Sequence, residues 1–348
     1  MDKIRLGKTG MMVSRIGFGG IPIQRVTEDE AISIVRKCLD LGVNYIDTAN
    51  RYTNSEERIG KAIIGRRDGL IIATKSGSRD LDEVKSHLQQ SLSKLGVEYI
   101  DLYQIHNVSD FDTLNMITAP GGVLSILQEA KAAGLIKHIG ISSHQLEVAK
   151  EAVKTDCFES IMFPFNFIAK EAADELLPLA REHDVGFIAM KPLGGGMLDN
   201  ATLTFKYLFQ FPDVMPIPGI QKIAEIEEIV QLLDGPLQLT EAELAEMQKL
   251  RDELGNRFCR RCDYCQPCSA EIPISTVMLL PCFLKSSNPE TTFSDAFANE
   301  VEKADNCVDC GDCEERCPYN LPIREIIAEH INRYEKEKKE YQEKIAQI

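Results

Sequence analysis

The sequence predicts an α/β fold, a (β/α)8 TIM barrel, followed by a small α-rich domain dense in cysteine. From residue 14 to residue 233, short β-branched runs alternate with amphipathic helical stretches eight times, the pattern of parallel strands joined by crossover helices. No G-x-G-x-x-G stands ahead of a helix, which takes support from an open doubly wound sheet. Nine of the eleven cysteines fall between Cys259 and Cys317, beyond the last β/α unit, and eight of them form two regularly spaced runs.

Taken in order, a hairpin around residues 7–10 comes first, placed to plug the barrel's bottom. Strands are expected over 16–19, 44–47, 70–75, 99–106, 138–142, 160–165, 186–191 and 215–218. Between them the helices carry start signals: Thr27-Glu28-Asp29-Glu30 is a capping box ahead of 31–41, and Asp80-Leu81-Asp82-Glu83 opens a helix that ends at Leu95 before Gly96. Eight units suit a closed barrel better than an open sheet. Thr240 caps one further helix, to Leu254. The expected division is therefore a barrel over 1–255, a cysteine domain over 256–325 and a polar helix over 326–348, whose YEKEKKEYQEK alternation reads as a solvated face. Between the cysteine runs, helices are expected around 274–284 and 293–304.

Composition limits the function classes. With 348 residues and 44% hydrophobic content the chain can bury a large core. A net charge of −15 argues against nucleic acid or an anionic membrane, both bound through excess Lys and Arg, and suits a basic redox partner. The amino terminus has no apolar core of a signal peptide, and the longest apolar stretch, 276–284, is short and broken by Pro281, so a cytoplasmic location is expected. Cys38, Cys157 and Cys282 read as small apolar residues.

The second cysteine run is Cys307-x2-Cys310-x2-Cys313-x3-Cys317-Pro318, the spacing of bacterial ferredoxins. There, three cysteines hold corners of one iron–sulfur cube and the fourth ligates the neighbouring cube. The first run, Cys259-x2-Cys262-x2-Cys265-x2-Cys268, completes eight thiols, the number two [4Fe-4S] clusters need. By the ferredoxin rule Cys259, Cys262 and Cys265 share a cluster with Cys317, and Cys307, Cys310 and Cys313 take Cys268. The first run departs from the rule, having two residues before its last cysteine and Pro267 ahead of Cys268. Structural zinc, alone or beside one cluster, and disulfides are the rival readings; zinc closes on two separated pairs, and disulfides need an oxidising compartment.

Asp47, Lys75 and His106 each stand at the carboxyl end of a different expected strand, where a parallel barrel builds its reaction site. Tyr52 follows Asp47 in Asp47-Thr48-Ala49-Asn50-Arg51-Tyr52, a loop able to bring the phenol back over the same mouth. Singly, each of the four is more often structural than catalytic; in this order they resemble the aldo-keto reductase family. LGKTGMMVSRIGFGG, EERIGKAI, IATKSG, YIDLYQIHN, IKHIGISSH, LLPLAREHDVGFIAMKPLGGG and PIPGIQKIAEIEEIV are similar to family segments in the family's order. The carboxyl-terminal part resembles a ferredoxin-like extension found on one branch. Carbonyl reduction needs a proton for the developing alkoxide, and a tyrosine is a weak acid unless its phenolate is stabilised. Lys75 is expected to lower the Tyr52 pKa, Asp47 to hold the ammonium, and His106 to hydrogen-bond the substrate oxygen.

The resemblance also implies a nicotinamide site. Ser142 and Ser143 match the family's Ser-Asn pair for the carboxamide; Met162 stands where many members have a glutamine, and Met190 where many have a stacking tyrosine. Both methionines read equally as packing. Pro192, Leu193 and Gly194 follow the seventh strand as further cofactor contacts. Gly219, Gln221 and Glu225 lie along the family's phosphate clamp, with Glu225 and Gly219 in place of its arginine and lysine. A carboxylate repels a 2′-phosphate, so NADH fits better than NADPH, although Lys222 pulls the other way and Glu225 also reads as a solvated helix residue.

The expected function is an NAD(P)H-linked oxidoreductase interconverting a small-molecule carbonyl and an alcohol, carrying two [4Fe-4S] clusters for electron transfer or structure. Nicotinamide passes two electrons and a cube accepts one, so a flavin or a partner protein is the expected mediator. The alternative is an iron–sulfur electron-transfer protein whose barrel binds a flavin or a redox partner.

Overall fold

The computed structural model describes residues 1–346. The last two residues of the expected polar helix, 347 and 348, lie outside it. The described chain divides into two compact units, residues 1–194 with 198–239, and residues 195–197 with 240 onward. The helix Glu241–Leu254 therefore groups with the second unit, not with the barrel.

In the first unit a two-stranded antiparallel ribbon, β1 (Lys3–Arg5) and β2 (Met12–Ser14), precedes eight parallel strands. These are β3 (Phe18–Gly19), β4 (Tyr45–Asp47), β5 (Ile71–Ser76), β6 (Ile100–Ile105), β7 (Ile136–Ser142), β8 (Ser160–Pro164), β9 (Gly186–Met190) and β10 (Val214–Pro216). Each pairs with its sequence neighbour, and a parallel bridge between Gly19 and Gly219 joins the two ends of the sheet. The first and last strands are shorter than expected for one physical reason. Pro216 and Pro218 have no N–H, so the seam is carried by their carbonyls, which accept from Gly17 N at 2.9 Å and Gly19 N at 2.8 Å.

Alternation decides what fills the barrel. Tyr45, Ala73, Leu102, Met162, Ile188 and Met215 point inward and form one apolar cluster, to which the ribbon adds Leu6 and Val13. That is the plug. Gly7 makes it possible: its φ is +49°, and a Cβ there would sit 2.2 Å from Gly186 N at the start of β9. The larger core lies between strands and helices. In Glu28–Asp40, Ala31, Ile34, Val35 and Cys38 repeat at helical spacing and are buried. Its capping box is formed, Glu30 Oε2 accepting from Thr27 N at 2.9 Å, a device worth about 1 kcal/mol. Asp80 caps Leu81–Leu95 by accepting from the Asp82 and Glu83 amides, and Gly96 ends it with φ +64°.

The second unit contains no strand among its described residues. The stretch expected as one helix at 274–284 is two, Ile274–Met278 and Leu280–Ser286, because Pro281 lacks the N–H that would continue the ladder. The stretch expected at 293–304 forms the helix Asp295–Glu302, with Ser294 as its cap. The polar tail is a single helix, Ile323–Ile345, whose Ile323, Ile326, Ile327 and Tyr334 enter this unit's core. No helix among the described residues is long and apolar enough to cross a membrane.

Candidate active site

Asp47 ends β4, Lys75 lies near the end of β5, and His106 follows β6, so the ladder sets the three side by side. Lys75 Nζ donates to Asp47 Oδ1 at 2.5 Å and to the Thr48 carbonyl at 2.7 Å. Tyr52 is brought over them by a tight turn in which Tyr52 N donates to Ala49 O at 2.9 Å and Asn50 N to Lys75 O at 3.1 Å. The Lys75 ammonium lies 5.1 Å from the Tyr52 ring centre, and the His106 ring stands edge-on to Tyr52 at 6.0 Å. The four residues expected from sequence are together.

A fifth belongs with them. Gln104 is fully buried, pairs with Lys75 in register, and donates from Nε2 to Asp47 Oδ2 at 3.1 Å. It stands two residues before His106, a spacing that already placed it on the inward face of the strand.

Burial dominates the electrostatics. Lys75 is 2% and Asp47 3% exposed. Burial pushes the Asp47 carboxyl up, against the downward pull of Lys75 and Gln104. Burial also opposes the Lys75 charge, but Asp47 and Tyr52 outweigh it and carry that pKa above its ordinary value. Lys75 Nζ thus has two oxygen acceptors and each Asp47 oxygen has a donor, the arrangement an ion pair takes. Tyr52 corrects an expectation. Lys75 does pull its pKa down, with a hydrogen bond adding to the charge, yet burial is the larger effect and Asp47 reinforces it, so the phenol sits above its ordinary value.

The expected nicotinamide contacts are placed unequally. Ser142 Oγ accepts from Asn107 N at 2.8 Å and keeps its proton to donate. The Ser143 hydroxyl is used internally, donating to Val108 O at 2.7 Å and accepting from Gln145 N at 3.0 Å. Met162 is 2% exposed within the barrel's apolar filling, and Met190 packs at the edge of that cluster. Pro192, Leu193 and Gly194 form a turn closed by Gly194 N to Lys191 O at 2.9 Å. Asn166, buried and unremarked in the sequence, donates to that same Lys191 carbonyl at 3.0 Å and anchors the turn's start. Gly219 lies on the barrel seam, where a Cβ would come 2.7 Å from Pro22 Cγ. At the start of helix Ile223–Gln231, Glu225 Oε2 accepts from Gln221 N at 2.7 Å and Lys222 N at 3.0 Å. The two amides that an anion would seek are already taken by the chain's own carboxylate.

In the second unit the eight cysteines part into two groups of four. One cavity is lined by Cys259, Cys262, Cys265 and Cys317, and another by Cys268, Cys307, Cys310 and Cys313. The fourth thiol of each group comes from the opposite run. None is in a disulfide. Burial pushes the Cys265 thiol up to about 12, with Cys259 adding to the effect. Among the described residues no three Cys, His, Asp or Glu side chains converge tightly enough to hold one metal ion. The thiols ring cavities instead of meeting at a point, a donor set that fits a cube of iron and sulfide.

A family model described as the aldo/keto reductase family matches residues 15–204, ending before the first cysteine run. A Bacillus subtilis (strain 168) protein described as an uncharacterized oxidoreductase is 34% identical over 217 residues, covering 58% of this chain and 68% of that protein. The L-galactose dehydrogenase of Arabidopsis thaliana is 30% identical over 220 residues, covering 57% and 68%. Among solved structures, an aldo-keto reductase from Bacillus halodurans in its holo form superimposes with a TM-score of 0.63 at 28% identity, covering 72% of this chain and 96% of its own. An aldo-keto reductase from Klebsiella pneumoniae in complex with NADPH superimposes at 0.62 with 21% identity and shares the fold.

Proposed function

The chain belongs to the aldo/keto reductase family, and on that premise we propose that it interconverts a small-molecule carbonyl and an alcohol with a nicotinamide cofactor, Tyr52 acting as the acid and base. The observation that carries this is the buried Lys75–Asp47 pair beneath the Tyr52 phenol. When bound, the nicotinamide supplies or takes the hydride. Tyr52 Oη gives its proton to the substrate oxygen in reduction and recovers it in oxidation. Lys75 stabilises the phenolate left behind, and Asp47, held by Gln104, keeps the ammonium charged and aimed. His106 orients the substrate oxygen. Glu225 supports NADH over NADPH, because a 2′-phosphate would meet a carboxylate that already holds the helix amides. Carbonyl-dependent NADH oxidation by Tyr52→Phe tests the acid; turnover at the native rate would remove it.

The two groups of four thiols support two [4Fe-4S] clusters, one on Cys259, Cys262, Cys265 and Cys317, the other on Cys268, Cys307, Cys310 and Cys313. Loaded, they would store single electrons. A flavin or a redox partner protein would then bridge one-electron and hydride chemistry. Iron and sulfide analysis of anaerobically purified protein tests the assignment.

A second reading draws on the carboxamide positions. Met162 lies in the barrel filling and the Ser143 hydroxyl is spent on its own loop, which favours an electron-transfer protein whose barrel takes a flavin or a partner. Anaerobic titration separates the two: if NADH and NADPH leave the clusters oxidised, with or without flavin, while reduced ferredoxin fills them, the second reading stands.

A further inference from the structure

We propose that Arg324 sets the reduction potential of the cluster on Cys268, Cys307, Cys310 and Cys313, giving its Nε–H to a sulfur of that cluster and holding it above its neighbour. The proposal rests on the two-cluster reading above. Arg324 is the second residue of helix Ile323–Ile345 and lines the same cavity as those four thiols. Most of its guanidinium is tied down. Nη1 donates to Asp309 Oδ1 at 2.6 Å and to Asp309 O at 3.3 Å, and Nη2 to Glu314 Oε2 at 2.8 Å. Of the donors that remain, the Nε–H is buried and has no acceptor among the described residues. A buried N–H without a partner is an anomaly that a ligand resolves. Here the ligand at hand is the sulfur of a group held by four thiols.

The fold holds this donor in place. Asp309 and Glu314 lie on the loop and short helix that carry Cys310 and Cys313, so the guanidinium is locked to the segment that supplies the ligands. Gly311, with φ +83°, keeps space there: the guanidinium carbon lies 4.0 Å from where its Cβ would be. The other arginine on this cavity, Arg316, already donates from Nε to Asp312 O and from Nη2 to Pro267 O, both at 3.0 Å. The cavity of Cys259, Cys262, Cys265 and Cys317 is the more shielded, since Cys317 is buried whereas Cys307 and Cys310 are exposed. A hydrogen bond to sulfur and access of solvent both favour the reduced, more negative cluster, while the Arg324 charge is already matched by Asp309 and Glu314. The two effects act together on one cluster, which becomes the place where electrons collect.

The test is an anaerobic redox titration of the full chain followed by electron paramagnetic resonance, comparing the native protein with Arg324→Gln, Arg324→Lys and Arg316→Gln. In Arg324→Gln the higher of two midpoints should fall, with a roughly tenfold loss in reduced-to-oxidised ratio at fixed poise, about 59 mV for one electron, while the lower midpoint stays. Arg324→Lys keeps the charge without the Nε–H and should fall part of the way; it also keeps the proposal testable if the glutamine variant loses its iron. Native midpoints in Arg324→Lys, or an equal fall in Arg316→Gln, would overturn the role of Nε–H. Native protein lacking iron would instead sink the two-cluster reading itself.

Discussion

Lys75 Nζ and Asp47 Oδ1 are 2.5 Å apart, with both side chains almost wholly removed from solvent. An ion pair so placed is strongly destabilising when halved, since the survivor keeps its desolvation cost and loses its compensation. Asp47→Ala should therefore lower unfolding free energy by about 3–5 kcal/mol, whereas Asp47→Leu combined with Lys75→Met should recover most of it. Chemical denaturation of the two variants measures the difference.

Activity should respond otherwise. Lys75→Met, stable or not in the double variant, removes the charge that supports the phenolate and should cost on the order of 10²–10⁴ in kcat with less effect on KM. Steady-state kinetics with any accepted carbonyl reads it.

The raised Tyr52 pKa predicts opposite pH profiles for the two directions. Reduction needs the protonated phenol, so it should stay level through neutral pH and fall only above the ordinary tyrosine value. Oxidation needs the phenolate and should climb over the same range. A reductive limb falling near pH 7, in a step that isotope effects show to be chemistry, would contradict the burial argument.

Glu225→Ala should release the Gln221 and Lys222 amides and remove the charge facing a 2′-phosphate. The ratio of kcat/KM for NADPH over NADH should rise about tenfold, the effect of roughly 1.4 kcal/mol, while the helix loses about 0.5–2 kcal/mol of capping. Paired assays with the two cofactors check the first number and thermal melts the second.

Glu159 offers a test of stability away from the mouth. Although burial opposes its charge, His138 at 2.6 Å, Lys131 at 2.7 Å and the Ile139 amide hold its pKa down to about 2. A depressed carboxylate contributes stability above its unfolded pKa and loses it as pH falls through the folded value. Glu159→Gln should cost about 1–3 kcal/mol at pH 7, and the gap from native should close between pH 4.5 and 2.

Cys268→Ser and Cys317→Ser should each halve the bound iron, but in different halves of the unit. Cys317→Ser should spare the group that includes Cys307, and Cys268→Ser the group that includes Cys259. Mössbauer or resonance spectra of the remaining cluster, combined with Arg324→Gln, identify which one survives.

Much of the barrel was legible because its signals are local. The alternation of β-branched runs, the Thr27 and Asp80 caps and the strand-end positions of Asp47, Lys75 and His106 each depend on residues within a few positions of one another. Pro281 broke a helix that hydrophobic spacing alone would have drawn whole, and Ser294 fixed where the next one starts; both have readable causes. Gln104 and Asn166 were passed over because a lone amide in an apolar run carries no motif; only the partner across the sheet or turn shows its purpose.

The chain's own order thus determined the barrel architecture, the strand-end positions of Asp47, Lys75 and His106 and the eightfold thiol supply, since period and spacing are properties of neighbours in sequence. Tertiary structure alone decided that burial outweighs Lys75 at Tyr52, that Gln104 holds Asp47, and that the buried Arg324 Nε–H has no acceptor among the described residues. Each is a balance among groups distant in sequence, where the sign depends on how much water is excluded and on which donor reaches an acceptor first.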